Sequence, residues 1–225
     1  MSQFFTTLSV WILPLLLAIT LHEAAHGWAA WKLGDDTAKT QGRVTFNPMA
    51  HIDPFGTVLL PLLLLLMQSP FLFGYAKPVP VNFSRLNNPR RDMVWVALAG
   101  PMANIFLALL GGLVFNLIVF LPEFTWEWFS LNIQNLIVIN AILAIFNLLP
   151  IPPLDGGRVA VGILPDVLAR PLARVEPYGM MILLGLIFLL PMIGATLGLN
   201  LNIFFAIIKP LAELIDSLAR ALIFI

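Results

Sequence analysis

The 225 residues contain no cysteine. That excludes disulfides and thiolate metal sites, so any metal must be held by histidine, aspartate or glutamate. Histidine is scarce as well, with three residues, at positions 22, 26 and 51. Charge is thin: Asp, Glu, Lys and Arg make up 11% of the chain, against about 25% in a soluble domain. With 60% hydrophobic residues and a mean hydropathy of +0.93, most of the chain is expected to lie in lipid. Twelve basic residues balance twelve acidic ones without a basic tract, so there is no electrostatic footprint for nucleic acid. No Pro- or Ser-rich linker marks off a second unit, and residues 1–225 read as one integral membrane domain. No basic residue precedes Lys32, so the first apolar segment reads as a retained helix, not a signal peptide.

What is there begins with His22-Glu23-Ala24-Ala25-His26, near the end of an apolar run at 8–33. On a helix the two imidazoles are one turn apart and face the same way, so they can share one Zn²⁺ with Glu23 beside it. Ionisable groups at membrane depth cost about 2.5–3.5 kcal/mol each on insertion scales, which makes such a cluster a functional site by default. A second motif runs Asn147-Leu148-Leu149-Pro150-Ile151-Pro152-Pro153-Leu154-Asp155-Gly156-Gly157-Arg158. Its prolines end a helix and favour extended backbone, and the glycine pair permits a tight turn around Asp155. We expect it to present that carboxylate on an unwound strand. Two histidines and one carboxylate leave the fourth zinc position open, as a catalytic site requires.

Further spans are expected at 94–121, 131–149 and 179–197, with a C-terminal helix at 201–225. Lys32, Lys39 and Arg43 follow the first span, Lys77, Arg85, Arg90 and Arg91 precede the second, and Arg158, Arg170 and Arg174 follow the third. The positive-inside rule puts all of these in the cytoplasm and the first residues outside. His22 and His26 lie roughly 21–27 Å along a helix starting near Leu8, so the site is expected within the membrane, toward the cytoplasmic side. Residues 55–76 are apolar enough to cross, but one crossing would carry Asp155 to the opposite face from the histidines. A re-entrant excursion is therefore expected, with Pro61 and Pro70 weakening a straight helix and a turn at Gln68-Ser69-Pro70.

The two motifs together resemble those of the site-2 proteases, intramembrane zinc metalloproteases. The likeness extends to Gly100-Pro101-Met102-Ala103-Asn104 and Phe46-Asn47-Pro48, and covers about residues 8–158. The resemblance implies an all-α polytopic membrane protein with a three-helix catalytic core, here joined by a re-entrant hairpin and C-terminal helices at about 179–225. It implies one zinc held by His22, His26 and Asp155, Glu23 as general base, and Asn147 near the substrate carbonyl. Its substrates would be single-pass transmembrane proteins cleaved within the bilayer, and its location a prokaryotic cell membrane. Unlike larger members, the chain leaves no room for a PDZ-type or nucleotide-binding regulatory domain.

Other readings of these residues stay open at this stage. Asp155 could be a turn residue, and Asn147 could bond a neighbouring helix. His51 or Asp53 could supply the third ligand if their loop folded back into the membrane. Gly100, Pro101 and Asn104 read as packing and helix-start devices outside the catalytic set. Phe124, Trp126, Trp128 and Phe129 read as an interfacial belt. Lys209, Glu213, Asp216 and Arg220 form a charged stripe, on either a membrane-surface helix or a partner-facing one. A metal transporter would need polar groups along a path through several helices, whereas here they converge at one depth. An inactive scaffold would be expected to lack Glu23 or a ligand, and all are present.

Overall fold

The computed structural model describes residues 2–67 and 74–224, and among these every regular element is helical. Four helices are long and apolar enough to cross a membrane, at Leu8–Lys32, Pro89–Phe115, Glu123–Leu148 and Asp166–Thr196. Helix α1 runs Ser2–Lys32 and ends where Gly34 adopts φ +112°. There the Asp35 N–H bonds back to Ala30 O at 2.9 Å, the six-to-one closure of a glycine-terminated helix.

Helix α2, Pro89–Phe115, starts five residues before the apolar window predicts. Pro89 occupies its first turn, and Asp92 accepts from the Asn88 N–H at 2.7 Å. A charged first turn is invisible to a hydropathy window but suits a helix start. The helix also stops short of residue 121, capped at Asn116, with a separate turn at Ile118–Phe120. Helix α3, Trp126–Leu148, likewise extends beyond its predicted start at 131, with Glu127 in its first turn.

Polar staples join these three helices. Asn135 Nδ2 donates to Val10 O at 2.8 Å, and the half-buried Trp128 donates from Nε1 to Ser9 Oγ at 2.9 Å. Trp128 is thus a helix-to-helix tie as well as an aromatic, while Phe124 is exposed as a belt residue would be. Bonds of this kind between membrane helices are worth about 0.6–2 kcal/mol each.

Between α1 and α2 the chain makes the predicted excursion. An apolar helical segment runs Pro54–Leu59 and Leu60–Leu66, and the chain is described again from Gly74. Its two ends meet: Tyr75 N–H donates to Gly56 O at 3.0 Å and Thr57 Oγ1 to Tyr75 O at 2.9 Å. Entry and return therefore sit side by side, as a re-entrant excursion requires. The expected turn at Gln68-Ser69-Pro70 lies outside the described residues.

After α3 the prolines do break the helix, but Asp155 does not lie on an unwound strand. It is the first residue of helix α4, Asp155–Ile163, which follows a cis Pro152–Pro153 bond. Gly156 and Gly157 are helical, not turn residues. A Cβ on Gly156 would collide with Leu148 O, and one on Gly157 with the backbone of Pro152. The glycine pair lets the new helix start directly against the end of α3.

A helix at Asp166–Val175 follows, then a run at Gly179–Leu184, Gly185–Leu189 and Leu190–Thr196. Helix α5, Ile203–Arg220, packs on α2 and α3. It buries Ile208, Ala212, Ile215 and Ala219 at helical spacing. It also bears the ion pairs Lys209–Glu213 at 3.9 Å and Asp216–Arg220 at 2.7 Å. Gly112 of α2 has no room for a Cβ because Ala219 O sits there, so α5 touches the core backbone to backbone.

Candidate metal centre

Two helices deliver three donor atoms to one point. His22 and His26 project from α1 and Asp155 from the first turn of α4, and all three are buried. The two Nε2 atoms are 3.0 Å apart, and each lies 3.2 Å from Asp155 Oδ2.

The far side of each imidazole is fixed. His22 Nδ1 is 2.6 Å from Asn104 Oδ1, and His26 Nδ1 is 2.7 Å from the Val96 carbonyl. Asn104 Nδ2 donates to Asn140 Oδ1 at 2.7 Å and to Ala18 O at 3.3 Å, which leaves its oxygen to accept from His22. Asn140 in turn donates to Leu136 O at 2.8 Å. Both rings therefore carry their proton on Nδ1 and offer the Nε2 lone pair inward, the hydrogen bonding that orients metal-binding histidines.

These residues fit zinc. Asp155 Oδ2 is buried without a hydrogen-bond partner, and it points at two further lone pairs, which repel unless a cation lies between them. Ligand atoms about 2.0 Å from a tetrahedral zinc stand about 3.3 Å from one another, close to the spacing found here. Gly100 makes the approach possible, because a Cβ there would strike His26 Nε2 and His22 Cε1.

A scan against family models matches Peptidase family M50 over residues 123–190, which takes in α3, the proline run and Asp155. The chain is also 38% identical over 214 residues to the protein named "Putative zinc metalloprotease YwhC" of Bacillus subtilis (strain 168), covering 89% of this chain and 93% of that one. The chain belongs to peptidase family M50. Proteins given the same description under the name Rip2 match the M50 chain too. Identity is 32% over 176 residues in Mycobacterium tuberculosis (strain H37Rv), and 29% over 179 in Mycolicibacterium smegmatis. The chain spans 65% and 64% of those two proteins, respectively. No solved structure matches it. M50 membership bears out the site-2 protease resemblance and, with four long apolar helices, makes this a multi-pass integral membrane metalloprotease.

The remaining predicted residues of this M50 protein fall in different places. Glu23 sits beside the cluster on α1, its Oε2 accepting from the Val79 N–H at 2.7 Å. Asn147, in the last turn of α3, donates to Leu143 O of its own helix at 3.1 Å. His51 is buried elsewhere with Nε2 on Thr45 O at 3.0 Å, and Asp53 caps the Pro54–Leu59 turn by accepting from the Phe55 and Gly56 N–H groups. Neither is part of the three-donor group. Asn104, read from sequence as a packing residue, instead holds His22. The signal was its spacing of four from Gly100, which sets it on the same helical face one turn away.

Proposed function

We propose that this M50 protein hydrolyses peptide bonds within the transmembrane helices of other membrane proteins. His22, His26 and Asp155 hold the zinc and Glu23 is the general base. The observation that carries the reading is the buried, partnerless Asp155 Oδ2 at 3.2 Å from two imidazole nitrogens whose other sides are fixed. It lies beside a carboxylate on the same helix.

Zinc bound there supplies a Lewis acid that polarises a carbonyl and makes water acidic near neutral pH. Glu23 takes the proton of the attacking water as its oxygen adds to the peptide carbonyl carbon. The same carboxyl then delivers that proton to the amine as the C–N bond breaks. Asn104 and Val96 hold the imidazoles still throughout. Asn147 turns from Leu143 O to the substrate backbone near the scissile bond. Substrate carbonyls in a helix are occupied by intrahelical bonds, so segments with helix-breaking residues are preferred. The whole chain acts as one membrane domain, its core at 8–158 and its accessory helices at 179–225. Its substrates are single-pass proteins of a prokaryotic cell membrane, and its site opens toward the cytoplasm by the charge of its loops.

Glu23→Gln is the test, because it removes the base and neither imidazole. Zinc content stays at one per chain and cleavage of a single-span substrate is lost. Substantial residual cleavage would refute the assigned role. For orientation, single cysteines replace Arg85 and Glu123 in this cysteine-free chain and meet an impermeant thiol reagent in intact cells. Labelling at 123 and not at 85 is expected, and labelling at 85 would overturn the cytoplasmic placement.

A further inference from the structure

We infer that the extended segment 77–82 is a strap that positions the catalytic carboxylate, and that Arg43 is the residue holding the strap in place. The inference rests on the assignment of Glu23 as general base. Within Pro78-Val79-Pro80 the sole backbone donor is Val79, since proline has no N–H, and that donor is on Glu23 Oε2 at 2.7 Å. One carboxylate oxygen is thereby fixed and the other left to handle the proton.

The strap is tied on both sides of this bond. Lys77 N–H donates to His51 O at 2.9 Å, and Asn82 N–H to Asp35 Oδ2 at 2.7 Å. Arg43 Nη2 donates to Lys77 O at 2.8 Å and to Pro78 O at 3.3 Å, the two carbonyls immediately before Val79. Arg43 is buried, and its interactions among the described residues include no ion pair. Its Nε is buried without a hydrogen-bond partner, so the bonds that offset the desolvation of this guanidinium are the two that Nη2 makes to consecutive strap carbonyls.

Shape supports the same reading. Gly27 lies one turn beyond Glu23 on α1. A Cβ there would come within 3.1 Å of both Val79 Cγ1 and Val44 Cγ2 and 3.2 Å of Ala38 Cβ. The bare helix surface at Gly27 lets Val79 sit close enough to reach the carboxylate. The metal ligands, by contrast, are braced by Asn104, Val96 and α4, none of which is part of the strap. Loosening the strap should therefore cost turnover and not metal.

The test uses the full-length zinc-loaded protein. Its readouts are zinc content, kcat and KM on a quenched-fluorescence single-span peptide that the wild type cleaves, and deuterium exchange of the Val79 amide. Arg43→Ala should lower kcat about 10- to 100-fold, as displacement of a catalytic group by about 1 Å does. KM should stay within about twofold, zinc should remain at one per chain, and Val79 should exchange faster. Arg43→Lys should recover part of the lost kcat, which a merely structural role would not require. Gly27→Ala presses on Val79 of the strap, and on Val44 and Ala38, by a few tenths of an ångström while keeping the Arg43 side chain, and carries the test if Arg43→Ala fails to fold. It should lower kcat several-fold. If Glu23→Gln still cleaves, the base assignment fails and takes this inference with it. If Glu23→Gln is inactive while Arg43→Ala and Gly27→Ala keep wild-type kcat, only the strap is overturned. Loss of zinc in Arg43→Ala would also overturn it.

Discussion

The two sides of helix α1 hold their functional groups in different ways. His22 and His26 face α2, where Asn104, the Val96 carbonyl and the bare Cα of Gly100 fix them through helix-to-helix packing. Glu23 faces a non-helical segment, tied by one amide of a loop that other loops hold down. Packed helices have few alternative arrangements, whereas loop segments open at low free energy. Metal affinity should thus be a property of the bundle, and turnover a property of the loops as well.

The strongest way to break this comparison is to remove a ligand. Asp155→Ala should lose both zinc and activity, measured by metal analysis and peptide cleavage, because two imidazoles alone hold zinc poorly. His51→Ala, on the loop side, should keep its zinc. The reverse pattern would mean that the ligand set is wrong. Next comes Asn104→Leu, which leaves His22 in place but without its partner. Zinc affinity should fall about 10- to 100-fold, the usual cost of losing an outer-shell partner, as read by competition with a chelator. An unchanged affinity would reduce Asn104 to a packing residue.

Gly112→Ala sharpens the comparison away from the site. The added methyl drives into Ala219 O, so α5 must shift, at about 1–3 kcal/mol of stability. Zinc content should hold, because α5 contributes no donor to the metal group. A lost metal at unchanged thermal stability would contradict this. The smallest effect is expected from Asn147→Ala. It gives up one intrahelical side-chain bond and leaves zinc and folding close to wild type, while KM rises if the side chain meets substrate. An unchanged KM would return Asn147 to a helix-end role.

The histidine pair was legible from sequence because a spacing of four on a helix needs no tertiary information to set two side chains on one face. Asp155 was legible as a partner through the prolines before it, but its backbone was not. Gly156-Gly157 suits a tight turn and a close helix contact equally well, and the choice depends on Leu148 and Pro152 lying against them. Asn104 and Asn147 show the same limit. Both are polar residues in apolar helices, and nothing local says that the first reaches an imidazole while the second bonds its own helix. The helix starts at Pro89 and Trp126 escaped the apolar windows because their first turns are charged or aromatic.

The sequence by itself determined that this chain is a helical membrane protein with a histidine-borne metal motif. Hydrophobic content, helical spacing and the lack of cysteine are one-dimensional quantities with direct physical consequences. The tertiary structure decided which carboxylate completes the donor set, which side chains orient the imidazoles and where Glu23 finds its amide. Each of these joins residues far apart in the chain, from 23 to 79, 22 to 104 and 26 to 155, and such contacts exist only once the helices and loops have packed.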